Sequence, residues 1–414
     1  MKYILQFRTH SNLLALSTIV IGVPIVGILA SKLVFWPAIL AILILLFSKS
    51  LPDIVHHSLK SQVGLILLAL SIWGGLSCIW SISPTHSLFG ALRFLAISCV
   101  ATVLVSGSLL LSHGNKRKLG IWMRRAGWSS LALAFVVIGS VWGFTSLTTG
   151  WGEEVILHER MNYFNRTAAV LLALSWPISA SIGNLSRPIE QWTYLLLIGA
   201  LCYLLPSSAL FTAFLFGIIT FFIAHASVQL AKALLLIAFS GYILLIPFFV
   251  IIGTELTAFL PTVIPDPSSE IHRIKVWTFS LEKIFESPLI GYGFDVSQQI
   301  PGGGDRVPLH TMDSGTTISG PLMPLHPHSA PIQIWLELGI PGLCLLATFF
   351  YLTVSWISNS KPITRESAAT TATLASCFTM ATLSFDLWQG WWLFTLCSAA
   401  VLNVSIKFDP EPRL

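Results

Sequence analysis

Charge is what this sequence has least of. Lys, Arg, Asp and Glu make up 10% of its 414 residues, against roughly 25% in soluble domains. With 54% hydrophobic residues and a mean hydropathy of +0.79, that shortage excludes an ordinary soluble domain. Cysteine offers no framework either. Cys78, Cys99, Cys202, Cys344, Cys377 and Cys397 lie scattered in apolar segments, none at C-x-x-C spacing, so neither a disulfide scaffold nor a zinc site is indicated. They read as small buried hydrophobes. There is no Ser–His–Asp order, no metal-ligand cluster and no internal repeat. Gly302-Gly303-Gly304-Asp305 lacks the Gly-Lys-Ser/Thr ending of a phosphate loop and reads as a flexible loop. The net charge of +5 raises nucleic acid as a partner, but the placement of the basic residues argues against it.

What is there is apolar length. A membrane-crossing helix needs about 20 mainly apolar residues. Twelve stretches qualify approximately, at 12–30, 33–48, 62–80, 88–111, 127–147, 166–183, 191–205, 207–227, 230–253, 330–356, 368–384 and 387–406. The fold class expected is therefore all-α: a polytopic membrane protein with about 12 transmembrane helices. Lys2 and Arg8 precede a first run too long for a signal-peptide core, so a retained helix is expected. With the N-terminus inside, Lys2, Arg8, Lys49, Lys60, Lys116, Arg117, Lys118, Arg124, Arg125, Arg187, Lys232, Lys361, Arg365, Lys407 and Arg413 all fall inside, as the positive-inside rule requires. Both termini are expected in the cytoplasm. Lys116-Arg117-Lys118 becomes a topology signal, and no nucleic-acid partner is expected.

Two outer intervals are long, and connections of such length usually have a function. One, near 146–165, carries Glu153, Glu154, His158, Glu159 and Arg160. The other runs from about 253 to 329. The chain thus divides into residues 1–253 with nine spans, an outer loop domain over 254–329, and residues 330–414 with three spans and a cytoplasmic tail. The large loop is expected to be partly helical. Ser268-Ser269-Glu270 suits a helix start, and Ile271, Ile274, Thr278, Leu281 and Phe285 recur at helical spacing. Ser287-Pro288, Gly291 and Gly293 end that helix.

The candidate chemistry gathers where this loop meets the tenth span. His326 and His328 precede the helix, with Ser329 as cap and Pro331 in the first turn. Free N–H groups at such an end attract anions, and a neutral histidine there is placed to be a general base. The competing reading is a loop-capping histidine. Gln333 and Glu337 share a helix face one turn apart. An intramembrane carboxylate must be paired, protonated or wet, so Glu337 either orients the histidine, pairs with an arginine or makes an interhelical hydrogen bond. Arg93, Arg166 and Arg273 lie on the side that should be poor in arginine. Arginine binds phosphate bidentately and keeps its charge, so these three point to an anionic ligand; Arg160 and Arg306 read as headgroup contacts. Asp386 is a minor candidate, and the fifteen tryptophans, Trp391 and Trp392 among them, fit interfacial belts or sugar stacking.

The run from His326 to Gly342, His-Pro-His-Ser-Ala-Pro-Ile-Gln-Ile-Trp-Leu-Glu-Leu-Gly-Ile-Pro-Gly, resembles the signature of the O-antigen ligase/polymerase family. Asn165-Arg166-Thr167-Ala168-Ala169 with Trp176-Pro177 resembles the family's arginine-bearing segment. Arg273-Ile274-Lys275-Val276-Trp277 with Ser287-Pro288-Leu289-Ile290-Gly291-Tyr292-Gly293 resembles its periplasmic loop helix. Ser329 departs from the family's usual asparagine, although serine can still cap a helix.

The resemblance implies a glycosyltransferase at the periplasmic face of the bacterial inner membrane, using a glycan linked to undecaprenyl diphosphate. No cofactor and no metal are expected. In an O-antigen ligase the acceptor is the lipid A–core oligosaccharide; His328 would be the base, Arg166, Arg273 and Arg93 would hold the diphosphate, and Gln333, Glu337 and His326 would support them. Trp335-Leu336-Glu337-Leu338-Gly339 looks more like the ligase branch. Alternatives are a polymerase of the same family and, in another class, a polyprenyl-linked glycan flippase. A flippase should line both leaflets with charge and often shows repeat symmetry.

Overall fold

The computed structural model describes residues 2–149, 161–185, 187–263, 267–311, 317–357 and 364–406. The acidic run expected at 153–160 lies outside the described residues. Fifteen α-helices are described: α1 (Lys2–Ala30), α2 (Phe35–Leu45), α3 (Leu51–Leu59), α4 (Gln62–Leu76), α5 (Pro84–Leu109), α6 (His113–Thr149), α7 (Asn165–Asn184), α8 (Pro188–Leu204), α9 (Ser208–Ala226), α10 (Val228–Leu245), α11 (Phe249–Phe259), α12 (Ser268–Glu286), α13 (Ala330–Ser355), α14 (Arg365–Leu383) and α15 (Gly390–Ser405). All twelve apolar stretches are helical, and the chain is an all-α polytopic membrane protein. Among the described residues, eight helices are long and apolar enough to cross a membrane, four fewer than the twelve stretches expected to span. The other four are α2, α8, α14 and α15. Three of these are short. The fourth, α14, is rich in Thr and Ser, but it is packed inside the bundle, and Thr370, Thr371, Thr373 and Thr379 donate to carbonyls four residues back. Its polarity is thus satisfied in protein rather than exposed to lipid.

The bundle is built around α7. Every residue from Thr167 to Gly183 is buried, as an apolar helix surrounded by others must be. α1, α6, α8, α14 and α15 pack on it. One large apolar cluster joins these helices, with Trp176, Tyr194, Phe221 and Trp392 at its centre. A smaller one lies under α12, uniting Val276, Trp277, Leu281 and Ile284 with Ile332 and Leu336 of α13.

The expected span at 230–253 is broken. A 3₁₀ turn at Ile246–Phe248 separates α10 from α11, because Pro247 has no N–H to continue the ladder. α11 therefore runs past the boundary expected at residue 253 and packs on α12. The loop helix expected after Ser268 is α12 itself. The sequence did not signal the antiparallel pair β1 (Arg306–Thr311) and β2 (Thr317–Pro321), which pairs Arg306 with Pro321 and carries a bulge near Pro308. His272 of α12 donates from Nε2 to the Pro321 carbonyl at 2.7 Å, fixing the hairpin to the helix.

The two ends of the bundle differ. At one end stand α12, the hairpin and the start of α13. At the other, Lys232 donates to the carbonyls of Ser355 and Ile357 at the end of α13, Arg365 to the Gly183 carbonyl at the end of α7, and Asn184 to Glu366. Cations at helix C-termini complement the dipole.

Candidate active site

The site begins with a break in α13. Pro341 cannot donate to the Glu337 carbonyl, and Gly339 sits at φ 66, a region that glycine enters without strain. Ile340 gives its N–H to the Pro288 carbonyl instead of to its own helix. The carbonyls of Leu336 and Glu337 are thereby freed, and the N–H groups of Tyr292 and Gly293 take them at 3.1 and 2.8 Å. A Cβ on Gly291 would lie 2.4 Å from the Glu337 backbone, and one on Gly339 would lie 2.1 Å from the Leu289 carbonyl oxygen. The Ser287-to-Gly293 motif thus exists to let one backbone dock in the break of another.

The docked segment is held from its other side by α4 and α5. Ser77 Oγ accepts from Phe294 N, and Ser87 Oγ donates to the Phe294 carbonyl. The Phe294 ring lies against Gly74 and Gly90 and 4.1 Å from Trp388.

Glu337 lies beneath this segment, fully buried. Its Oε1 accepts from Ser297 N, Ser297 Oγ and Gln333 Nε2; its Oε2 accepts from Asp295 N and Trp388 Nε1. The expectation that Glu337 orients a histidine or pairs with an arginine is corrected: among the described residues its carboxylate instead ties the docked segment and Trp388 to α13. Gln333 extends the network, donating to Asp386 Oδ1 at 2.7 Å and accepting from Leu387 N. Asp386 also accepts from Trp388 N.

His328 stands at the mouth of α13 with φ 56. Its N–H donates to His326 Nδ1 at 3.1 Å, and the two rings are 4.3 Å apart. Its Nδ1 is 2.9 Å from the Ser384 carbonyl. A carbonyl only accepts, so Nδ1 carries the proton and Nε2 keeps its lone pair. Burial pushes the His328 pKa down to about 3; the neighbouring His326 and the Arg273 charge also lower it, while the Ser384 bond opposes them. Burial lowers His326 to about 4. Both imidazoles are neutral at physiological pH. Ser329 occupies the cap position, but its side chain makes no cap bond. Its hydroxyl meets Tyr242 of α10 at 2.8 Å, which corrects the capping role expected for it.

The arginines ring this centre. Arg93 donates to Asp295 Oδ2 at 2.8 Å, with His86 3.6 Å from the same oxygen. Asp295 has φ 60. Burial and the nearby Asp386 charge raise its pKa to about 6, against the pull of Arg93 and His86. Arg273 lies 4.0 Å from Glu270 and burial lowers its pKa. One turn on, Trp277 donates to the Pro327 carbonyl beside the histidines. Arg166 stacks over Trp391 at 5.9 Å, and Trp391 packs edge-on against Phe385. His328, Gln333, Glu337 and Arg166 therefore all converge on the 384–391 segment. Arg93 joins through Asp295, and Arg273 through α12. Asp295, Ser297, Ser384 and Trp388 were not foreseen. Asp295 follows directly on the Gly291-to-Phe294 turn, which was its one signal.

These features define the class: a polytopic, all-helical membrane protein whose long loop and tenth apolar stretch together enclose a neutral histidine pair, a carboxylate network and flanking arginines. Residues 193–347 match the family model described as O-Antigen ligase. A Rickettsia typhi protein called "Putative polysaccharide ligase" is 26% identical over 340 residues, 81% of this chain and 78% of that protein. A Rickettsia prowazekii protein of the same description is 25% identical over 332 residues, 79% of this chain and 76% of its own. A Rickettsia conorii one is 35% identical over 125 residues, 30% of this chain and 29% of its own. The chain is thus similar to O-antigen ligases over residues 193–347 and, over most of its length, to bacterial proteins called putative polysaccharide ligases.

Proposed function

We propose that this chain transfers a glycan from undecaprenyl diphosphate to the lipid A–core oligosaccharide at the periplasmic face of the bacterial inner membrane, with both termini in the cytoplasm. The observation that carries the chemistry is the bond from His328 Nδ1–H to the Ser384 carbonyl, which leaves Nε2 as a fixed proton acceptor. In the proposed step Nε2 takes the proton of the acceptor hydroxyl. That oxygen attacks the anomeric carbon, and the bond from this carbon to the diphosphate oxygen breaks. The diphosphate leaves with the electron pair. Its negative charge is met by Arg166 and Arg273, with Arg93 shared with Asp295; fixed cations facing developing charge are usually the largest catalytic contribution. A diphosphate is already a good leaving group, so the proposal invokes neither metal nor cofactor. The names of the relatives and the Trp335-to-Gly339 form favour ligase over polymerase.

Purified protein supplied with lipid-linked glycan and core acceptor tests this. His328→Ala should lose roughly 100-fold or more in transfer while still binding the donor. Wild-type turnover in that variant removes His328 from the role, and glycan lengthening on the carrier without transfer to core makes the enzyme a polymerase.

A further inference from the structure

The end of the bundle away from His328 holds a basic groove that the transfer reaction does not use. On α6, Arg117 and Arg124 are seven residues apart, as are Lys118 and Arg125, and Trp128 follows Arg124 by four. At helical spacing these form one stripe. The stripe faces the first turn of α8. There Glu190 Oε1 accepts from Arg124 Nε and from Trp128 Nε1, and Oε2 accepts from Arg187. One carboxylate therefore orients two guanidiniums and an indole. Arg125 has no ion pair among the described residues and is exposed. Two adjoining open grooves of about 490 and 520 Å³ share Trp128 and Glu190; Arg187, Ile189 and Thr193 line one, Arg124, Arg125 and Ser129 the other.

Three arginines against one glutamate leave the grooves cationic. Beside them α8 turns an apolar face outward: Ile189 is 82% exposed and Leu196 71%. A soluble anion would satisfy the arginines and leave that face bare. A two-part ligand, anionic at the head and apolar behind it, satisfies both. We propose that this groove binds the headgroup of an anionic phospholipid, with phosphate oxygens on Arg125 and Arg187, an acyl chain along Ile189 and Leu196, and Trp128 at the boundary. Basic pockets between helices at a membrane surface recognise such headgroups, and arginine forks match phosphate.

Native mass spectrometry of the full chain, released from vesicles of mixed phosphatidylglycerol and phosphatidylcholine, tests the site. Wild-type protein should retain phosphatidylglycerol selectively. Arg125→Gln with Arg187→Gln should lower that retention roughly tenfold or more, while Lys60→Gln, outside the groove, should leave it unchanged. Arg125→Gln alone breaks no bond among the described residues, so it reads the site even if the double variant folds poorly; it should lose roughly fivefold. Glu190→Gln keeps an acceptor oxygen for Arg124 and Trp128 while removing the competing charge, so it should hold or raise retention. Unchanged retention in the arginine variants, loss in Glu190→Gln, or full displacement of the lipid by inorganic phosphate would each overturn the proposal.

Discussion

Glu337 accepts five hydrogen bonds with two oxygens, so its removal is felt by all five donors. A buried donor left without a partner costs about 1–3 kcal/mol. Glu337→Ala should therefore destabilise by at least ~3 kcal/mol. Glu337→Gln should also destabilise, because its NH2 must face donors. Thermal midpoints in detergent check both, and a midpoint within a degree of wild type would sink the reading. Asp295 gives a pH signature. Its pKa is raised to about 6 from the ordinary 3.8, so between those values the folded chain holds a proton that the unfolded chain lacks. The Arg93 ion pair is present above about pH 6 and weakens as pH falls through that value, freeing the guanidinium. Turnover should change across pH 6 in the native protein and lose that inflection in Asp295→Asn; matching profiles would dismiss the coupling. His328 has the opposite sign. With its pKa lowered to about 3 from 6.5, only the unfolded chain gains a proton between those values, so its contribution to stability declines as pH falls below about 6.5.

At the scale of elements, the decisive one is the divided α13. Gly339→Ala puts a side chain into a left-handed conformation, which costs about 1–2 kcal/mol, and drives its Cβ against the Leu289 carbonyl. The docked segment should come away, seen as faster proteolysis within 301–305 and loss of transfer; an intact, active variant would show that the docking is dispensable. How much of this could be read beforehand differs from element to element. The twelve apolar stretches were legible because hydropathy is a local property. α12 was legible because an acid in its first turn, Glu270, and its 3.6-residue period coincide, although Pro267 rather than a serine stands at the cap position. The break in α13 was signalled by Gly339 and Pro341, but what fills a break is not written beside it, and the segment that fills it begins some fifty residues earlier at Pro288. The role of Glu337 was missed for the same reason: its partners Asp295, Ser297 and Trp388 come from two other parts of the chain. Arg93 could be singled out for being on the wrong side, yet its partner Asp295 lies 202 residues away.

For the whole molecule, the gathering of cations at the end opposite His328 makes a claim about sidedness. Lys118→Cys should react with a membrane-impermeant maleimide only in inverted vesicles, and Arg306→Cys only in intact cells stripped of the outer membrane. Labelling of both from one side would reverse or refute the proposed orientation.

The staple between α13 and the docked segment also fixes an order of assembly. Residues 288–297 leave the ribosome before α13, whose free carbonyls they need, and well before Ser384, which orients His328. On the proposed topology this interval crosses the membrane before the backbone it docks into has been made. A nascent chain released just short of Ser384 would hold all eight described helices long and apolar enough to cross the membrane but would lack the carbonyl that orients His328. On the proposed role of His328, catalytic competence is thus a late event in biogenesis, reached only once the turn between α14 and α15 is in place.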